Sequence, residues 1–208
     1  MADRKTEILE ATCRVIARSG AHDLRVEDVA KEAGVSPALV YYYFDTRAEL
    51  LSRAFEFADA RSTAHTMKHI ETDASGRERL HAILFHEFDD APDVRDNWVI
   101  WGEMSSTAVF DKDLLATLDT WSRNWVKMVA DLIRGGQQDG SISVTSNEPE
   151  YAAERLTAIV DSLGGKIQLG FLDPARGRTI LQDAIDMELG LARDEVPAAS
   201  SSTAASGA

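Results

Sequence analysis

The sequence predicts an all-α protein, because helix signals recur along the whole chain and strand signals are scarce. Apolar residues repeat at intervals of three and four, the spacing of one buried helix face, and capping residues stand where such stretches begin and end. Of the 208 residues, 44% are hydrophobic and 27% are charged, an ordinary globular composition. No apolar run approaches the ~18 residues of a membrane span, and the N-terminal "MADRKTEILEA" lacks the apolar core of a signal peptide.

The N-terminal region reads as four helices. Residues 5–19 carry the first apolar stripe, which ends at Gly20, and "VEDVAKEAG" (26–34) forms a short second helix that Gly34 closes. Ser36 is a good N-cap for the third helix, with Pro37 at its first position. The fourth helix, 46–64, begins at a capping box made by Thr46 and Glu49.

The second and third helices form a predicted helix-turn-helix. The short turn with its glycine makes the two helices cross steeply, so one can enter a DNA major groove while the other braces it. Val40 and Phe44 lie four residues apart and should face the core. Tyr41, Tyr42 and Tyr43 then cannot all be buried, because successive helical side chains project about 100° apart. From geometry alone, two ordinary core helices remain an alternative.

Residues 6–51, "TEILEATCRVIARSGAHDLRVEDVAKEAGVSPALVYYYFDTRAELL", strongly resemble the DNA-binding domain of the TetR family of transcriptional regulators. The resemblance extends in register over "ILEA", Gly20, "VEDVAKEAGVS", "VYYYF" and "TRAELL". It implies a homodimer that reads two half-sites of a palindromic operator. Such half-sites lie about 34–36 Å apart, or a multiple of that distance.

The same resemblance implies roles for residues of the helix-turn-helix. Ala38, Leu39 and Tyr42 would lie at base edges, where the two apolar side chains offer contact only to groups such as thymine methyls. Tyr41, Tyr43 and Arg47 would bind phosphates. Arg25 replaces the usual Thr or Ser cap but can still reach phosphate, and Pro37 replaces a residue that is commonly polar or basic. The predicted DNA-binding set is Arg25, Ser36, Pro37, Ala38, Leu39, Tyr41, Tyr42, Tyr43 and Arg47.

Charge is distributed unevenly along the chain. The net charge is −13, yet residues 1–55 contain eight basic and nine acidic residues and so carry only −1. An acidic body on a near-neutral N-terminal domain would repel DNA everywhere except at that domain's local positive charge. This distribution should weaken non-specific DNA binding without preventing specific binding.

Five further helices are predicted in the rest of the chain, at 75–88, 94–108, 111–136, 148–170 and 173–192. Residues 135–149 read as a connector, and the small-residue-rich segment 196–208 as a disordered tail. "NWVIWGEM" and "DKDLLATLDTWSRNWVKMVADLI" are similar to the C-terminal domain of the betaine-regulator branch of the family. We therefore expect an N-terminal three-helix helix-turn-helix domain (1–48) and a C-terminal helical ligand-binding and dimerisation domain (49–195).

The last two helices carry the expected homodimer surface, within residues 148–192. In the family, these helices pair into a four-helix bundle. Gly164 and Gly165 would let a second backbone approach closely. The alternative is that the apolar stripes face the chain's own core. They consist of Leu156, Ile159, Val160, Leu163 and Ile167, and of Ile180, Leu181, Ala184, Ile185 and Leu189.

All four tryptophans fall in the region that surrounds the inducer pocket in the family. Trp98 and Trp101, and likewise Trp121 and Trp125, are spaced to share a helix face. Tryptophans beside a carboxylate favour a cationic or amphipathic ligand, with Glu87, Glu103 and His86 as further polar candidates, although plain core is an equal alternative. The predicted ligand-binding set is Phe85, Phe88, Trp98, Trp101, Met104, Trp121, Trp125, Met128 and Asp161.

No catalytic, metal or cofactor site is predicted. His65 and His69 have a spacing that could bind a metal, but only Glu71 and Asp73 could add ligands, so an exposed polar face is favoured. The single cysteine, Cys13, excludes an internal disulfide and fits the reducing cytoplasm.

We expect a cytoplasmic, dimeric repressor that a small hydrophobic or cationic inducer releases from DNA. In the expected mechanism, the ligand tilts residues 46–64 and so changes the separation of the two DNA-binding domains. The alternative is a helical small-molecule-binding or catalytic domain without specific DNA binding.

Overall fold

The structure is a computed structural model that describes residues 3–68, 73–143 and 148–190. These residues form helices and connecting turns, with no strand among them. The helices are α1 (Arg4–Ser19), α2 (Val26–Ala33), α3 (Pro37–Tyr43), α4 (Arg47–Lys68), α5 (Gly76–His86), α6 (Pro92–Ala108), α7 (Lys112–Asp139), α8 (Pro149–Gln168) and α9 (Pro174–Leu189). Residues 196–208, predicted to be a disordered tail, lie outside the described residues, as does His69.

The starts of α3 and α4 follow the predicted capping signals. The Ser36 hydroxyl accepts a hydrogen bond from the backbone N–H of Leu39, with Pro37 at the first helical position. The Thr46 hydroxyl likewise accepts from the N–H of Glu49. The Glu49 carboxylate accepts from the N–H of Asp45, so the return bond of this capping box lies one residue earlier than predicted.

One hydrophobic core holds the N-terminal helices together and continues into the body of the protein. Ile8, Ile16, Val29, Val40 and Phe44 are fully buried in it. Residues from the body also belong to this core, among them Ile100, Met104 and Leu114. The N-terminal helices therefore pack directly on the body of the protein, with α1 and α4 in contact with α6.

A second core lies among α5, α7, α8 and α9. It contains most of the apolar stripes that were predicted to pair two chains, with Leu156, Val160, Leu181, Ile185 and Leu189 buried within the same chain. The outward surface of α8 and α9 carries other apolar side chains. The predicted stripes thus stabilise the fold of the single chain, which is the alternative considered for them.

Gly164 has a different role from the one predicted. A Cβ atom at this position would lie 2.1 Å from the Trp98 ring, so the absent side chain lets α6 pack its indole against α8. A Cβ atom at Gly165 would meet nothing within 4 Å. The close approach that Gly164 permits is made by the chain's own tryptophan.

Helix α7 ends three residues later than predicted, at Asp139 rather than 136. The helix continues through Gly135 and Gly136. Gly136 has no side chain, and this leaves room for Ile142 to pack against the helix, since a Cβ atom at Gly136 would lie 2.5 Å from the Ile142 side chain. The positive φ of +81° at Gly140 then reverses the chain. The connector predicted at 135–149 is correspondingly shorter, and its residues 144–147 lie outside the described part. Among the described helices, none has the length and apolarity needed to cross a membrane.

Candidate nucleic-acid interface and ligand cavity

The short helix α3 turns two of its three consecutive tyrosines toward solvent. Val40 and Phe44 are buried, which fixes the rotation of the helix. Tyr42 is 77% exposed and Tyr41 48% exposed. Tyr43 is half-buried, packs against the core, and meets the Tyr42 ring edge to face, with 5.2 Å between the ring centroids. Large exposed aromatic side chains of this kind typically mark a binding surface.

The other predicted DNA-binding positions share the surface of the helix-turn-helix. Ser36, Pro37 and Ala38, at the start of α3, are exposed, whereas Leu39 is half-buried. Arg25 is exposed at the start of α2, where its side chain makes no capping hydrogen bond. Its guanidinium is therefore available to a ligand outside the fold.

Arg47 has a structural role that the sequence did not indicate. Its Nε donates to the carbonyl oxygen of Leu24 at 2.8 Å. Its Nη2 donates to the carbonyls of Ala21, at 2.5 Å, and His22, at 2.9 Å. The side chain thus ties the start of α4 to the loop between α1 and α2, and within the described structure only Nη1 is left for an additional partner.

The body of the protein binds the same loop from the other side. Glu103 of α6 accepts a hydrogen bond at its Oε2 from the backbone N–H of Ala21, at 2.7 Å. Gly20, with a positive φ of +80°, lies directly against this carboxylate. Glu103, considered from sequence as a polar group of the pocket, does not line the cavity and instead connects α6 to the DNA-binding domain.

A cavity of about 120 Å³ lies between the two hydrophobic cores, and all four tryptophans line it. Trp101 and Trp121 pack against the N-terminal core, whereas Trp98 and Trp125 pack against the body core. The complete lining is Phe55, Ala58, Asp59, Ser62, Glu87, Asn97, Trp98, Ile100, Trp101, Met104, Trp121, Ser122, Trp125, Thr157, Val160 and Asp161. The tryptophans are therefore both core and cavity wall.

Six of the nine predicted ligand-binding residues line this cavity, and three do not. Phe88 is buried in the body core. The Phe85 ring packs against the same core and stacks on His81, with 3.9 Å between the ring centroids. Met128 is half-buried elsewhere on α7. Helical spacing identified these side chains as inward-facing, but both cores lie inward, and spacing alone does not distinguish the core from the cavity.

The cavity wall contains three carboxyl groups and, among the residues described, no basic side chain. Burial, together with the charges of Asp161 and Asp89, raises the pKa of Glu87 to about 7. Burial raises the pKa of Asp161 to about 6, and it also raises the pKa of Asp59. These raised pKa values mean that the cavity disfavours the negative charge of its carboxyl groups.

Two polar groups complete the end of the cavity near α8. The indole N–H of Trp98 donates to the backbone carbonyl of Glu87 at 2.9 Å, which fixes the ring beside that carboxyl. Thr157 is 7% exposed, and its buried hydroxyl has no hydrogen-bond partner in the described structure. A buried hydroxyl without a hydrogen-bond partner is unfavourable, so the Thr157 hydroxyl would gain a hydrogen bond from a polar atom of a ligand.

A helix-turn-helix with exposed tyrosines, joined to a helical body around a tryptophan-lined cavity, defines a ligand-binding transcriptional regulator rather than an enzyme. Comparison with known families agrees: residues 8–54 match the family of bacterial regulatory proteins called tetR, and residues 76–190 match the C-terminal domain of BetI-type transcriptional repressors. The chain belongs to the TetR family, with a BetI-type C-terminal domain.

Individual relatives extend over most of the chain. The transcriptional regulator BetI of Brucella anthropi is 26% identical over 189 residues, which cover 89% of this chain and 93% of the relative. A TetR-family regulator from Rhodococcus sp. has a crystal structure that is 35% identical and has a TM-score of 0.81, covering 91% of this chain and all of that one. A regulator from Saccharomonospora viridis, solved in complex with choline, is 27% identical with a TM-score of 0.78, covering 88% of this chain and 95% of that one.

Proposed function

We propose that the protein represses transcription from a palindromic operator as a homodimer in the cytoplasm, and that a small organic cation with a quaternary ammonium group releases it. One observation carries the ligand class: four tryptophans and three carboxyl groups surround one cavity whose described wall has no basic residue. Aromatic rings attract a cation through their faces, and the carboxylates supply the opposite charge.

The size of the cavity limits the ligand. An engineered protein cavity of about 150 Å³ holds one benzene molecule, so a cavity of about 120 Å³ suits a group of similar or slightly smaller size. A trimethylammonium group meets this limit. The choline-bound relative from Saccharomonospora viridis supports the same ligand class.

The DNA-binding surface proposed here is the exposed side of α3 with Arg25 and the start of α4. Tyr41 and Tyr42 offer phenol hydroxyls, Arg25 offers an unpaired guanidinium, and Ala38 offers a methyl group. Only apolar and hydroxyl groups are available for base edges, so contacts to phosphates should supply most of the affinity. Arg47 contributes chiefly by fixing the loop that carries Arg25, with Nη1 as its remaining donor.

The proposed dimer surface is the outer side of α8 and α9. Tyr151, Leu169, Phe171 and Met187 are exposed there, and they lie on or between the two helices. Exposed apolar side chains in this number are typical of an interface between chains. Sedimentation of Met187→Glu against wild type tests it: the proposal requires that the variant sediment as a monomer and that the wild type sediment as a dimer.

Helix α4 is the structural link between ligand and operator. Its first residue, Arg47, ties the DNA-binding domain together, and about two to three turns later Phe55, Ala58 and Asp59 line the cavity. Glu103 provides a second link from α6, the helix that also carries Trp101 and Met104. A ligand that displaces either helix therefore changes the position of the loop between α1 and α2.

The ligand class is tested by calorimetry with choline and its neutral carbon isostere, 3,3-dimethylbutan-1-ol. The two molecules have the same shape and differ in charge. We expect choline to bind at least tenfold more tightly, since only the cation gains from the indole faces and carboxylates. Equal affinity for both would contradict the cationic ligand and favour a plain hydrophobic inducer.

A further inference from the structure

Asp59 is a cavity residue that the sequence patterns did not identify. It lies on α4 one turn after Phe55, and both side chains contribute to the cavity wall. Its carboxyl group makes no hydrogen bond and no ion pair in the described part of the chain, and burial raises its pKa. Asp59 is exposed overall, so water reaches its carboxylate, and a donor that a ligand brings into the cavity would replace that water.

The acidic groups of the cavity form two separate ends. Glu87 and Asp161 are near neighbours, because the charge of Asp161 contributes to the raised pKa of Glu87. Asp59 belongs to α4 and Asp161 to α8, and both helices pack against α6. Burial alone raises the pKa of Asp59, without a contribution from the charge of Glu87 or Asp161. One end of the cavity therefore has two carboxyl groups beside Trp98, whose indole N–H donates to the Glu87 carbonyl, and Asp59 contributes a third carboxyl group from α4.

A ligand with a single cationic group can pair with the carboxyl groups at only one of these ends. The quaternary group fits best beside Glu87 and Asp161, where Trp98 is fixed by its hydrogen bond and Thr157 offers an unpaired hydroxyl. A quaternary ammonium has no N–H and cannot donate a hydrogen bond. Asp59 then gains a direct contact only if the ligand has a donor at its other end.

We propose that Asp59 is a specificity-determining residue that accepts a hydrogen bond from a hydroxyl or ammonium group at the second end of the ligand. This inference rests on the proposed function, since it assumes that an organic cation occupies the cavity. The contact selects cations that carry a hydrogen-bond donor a few atoms from the quaternary nitrogen. It also joins the ligand to α4, the helix that begins at Arg47 in the DNA-binding domain.

The test compares two cations on two variants of the full chain. Choline has a hydroxyl donor, whereas tetramethylammonium has none. Asp59→Ala removes both carboxylate oxygens, so no side-chain acceptor remains at this position. Glu56→Ala is the matched control, because Glu56 lies three residues earlier on α4, outside the cavity, where it pairs with Arg53.

Calorimetry should show that Asp59→Ala lowers choline affinity about tenfold and changes tetramethylammonium affinity less than twofold, while Glu56→Ala changes neither. A tenfold loss matches one hydrogen bond to a charged group. An equal loss for both cations, or no loss for choline, would overturn the role of Asp59. If the wild type binds neither cation, the proposed ammonium site itself is wrong, which is a distinct result.

A second comparison needs no variant. The O-methyl ether of choline keeps the quaternary group and the chain but has no donor. The proposal requires that wild-type protein bind the ether about as weakly as Asp59→Ala binds choline. If the ether binds as tightly as choline, Asp59 does not accept a hydrogen bond from the ligand.

Discussion

Single residues on α3 determine what the DNA-binding surface can offer. Burial of Val40 and Phe44 turns Tyr42 outward, so most of its side chain is open to a ligand. Tyr43 combines two roles, because it packs on the core and meets Tyr42 edge to face. The three tyrosines are therefore not equivalent, and substitutions should separate their contributions.

Tyr42→Ala should weaken operator binding about tenfold without lowering the melting temperature. The side chain is 77% exposed, so its loss removes little packing, while a hydrogen bond to a charged phosphate contributes about 1.5–3 kcal/mol. Fluorescence anisotropy with labelled operator measures the affinity. Phe110→Ala, which removes an even more exposed ring from the turn between α6 and α7, is the control. Unchanged affinity for Tyr42→Ala would remove Tyr42 from the interface.

Gly164→Ala should destabilise the fold by about 1–3 kcal/mol, the usual effect of adding a methyl group to a packed core. The new Cβ atom would lie 2.1 Å from the Trp98 ring, which must then move away from α8. Gly165→Ala is the matched control, since nothing lies within 4 Å of its Cβ position. Urea unfolding followed by tryptophan fluorescence measures both variants, and similar stabilities for the two would show that the contact is not tight.

At the scale of elements, the loop between α1 and α2 is the structural junction between the two parts of the protein. Arg47 holds it from α4 and Glu103 holds it from α6. Ala21, which takes part in both contacts through its carbonyl and its N–H, is buried. Changes in the body of the protein therefore reach the DNA-binding domain through two helices.

Glu103→Ala should lower the free energy of unfolding by about 1–3 kcal/mol, because it leaves the buried N–H of Ala21 without an acceptor. Glu103→Gln retains an acceptor oxygen and should restore most of this loss. Chemical unfolding measures the stabilities. If both variants lose the same stability, the charge of Glu103 matters more than its hydrogen bond.

Most elements could be predicted from sequence because capping residues mark their starts. Ser36 with Pro37, and Asp173 with Pro174, place the starts of α3 and α9 correctly. The end of α7 could not be predicted, since the fit of Ile142 against Gly136 depends on the folded chain. The cavity was predicted only in part: tryptophan spacing indicated the wall on α6 and α7. Asp59 on α4 lies in no motif, and its position depends on how α4 and α6 pack.

On the scale of the whole molecule, the acidic charge of the cavity links ligand binding to pH. A carboxyl group whose pKa is raised in the folded protein contributes its full stabilisation at a pH below the pKa of the unfolded chain, and this contribution is lost as the pH rises through the pKa of the folded protein. The folded pKa is about 6 for Asp161 and about 7 for Glu87, so their contributions are lost as the pH rises through these values. A bound cation reverses the effect, because it favours the ionised carboxylates.

Choline affinity should therefore rise about tenfold between pH 6 and pH 8, as the Glu87 carboxyl, whose pKa is about 7, loses its proton. Calorimetry in buffers of different ionisation enthalpy measures the affinity and the protons released. Glu87→Gln should retain only the smaller dependence that Asp161 contributes. An affinity that is independent of pH in the wild type would show that these carboxyl groups do not contact the cation.

The net negative charge of the protein lies almost entirely outside its N-terminal region, which favours specific over non-specific DNA binding. Residues 1–55 have a net charge of −1, while the chain as a whole has −13. The acidic body repels DNA that is not held by the helix-turn-helix, so in the proposed homodimer a small change in the position of the two helix-turn-helix units would release the operator. Coupling between two such sites is typically about 1–3 kcal/mol.

The most direct test of this account is a titration of the operator complex with choline and with its neutral isostere. Operator selected from random DNA is labelled, bound to wild-type protein at fixed salt, and followed by fluorescence anisotropy as each compound is added. The account predicts that saturating choline weakens operator affinity by at least fivefold, whereas 3,3-dimethylbutan-1-ol at the same concentration leaves it unchanged. Operator affinity that stays the same with the cavity fully occupied by choline would contradict the link between ammonium recognition and DNA release.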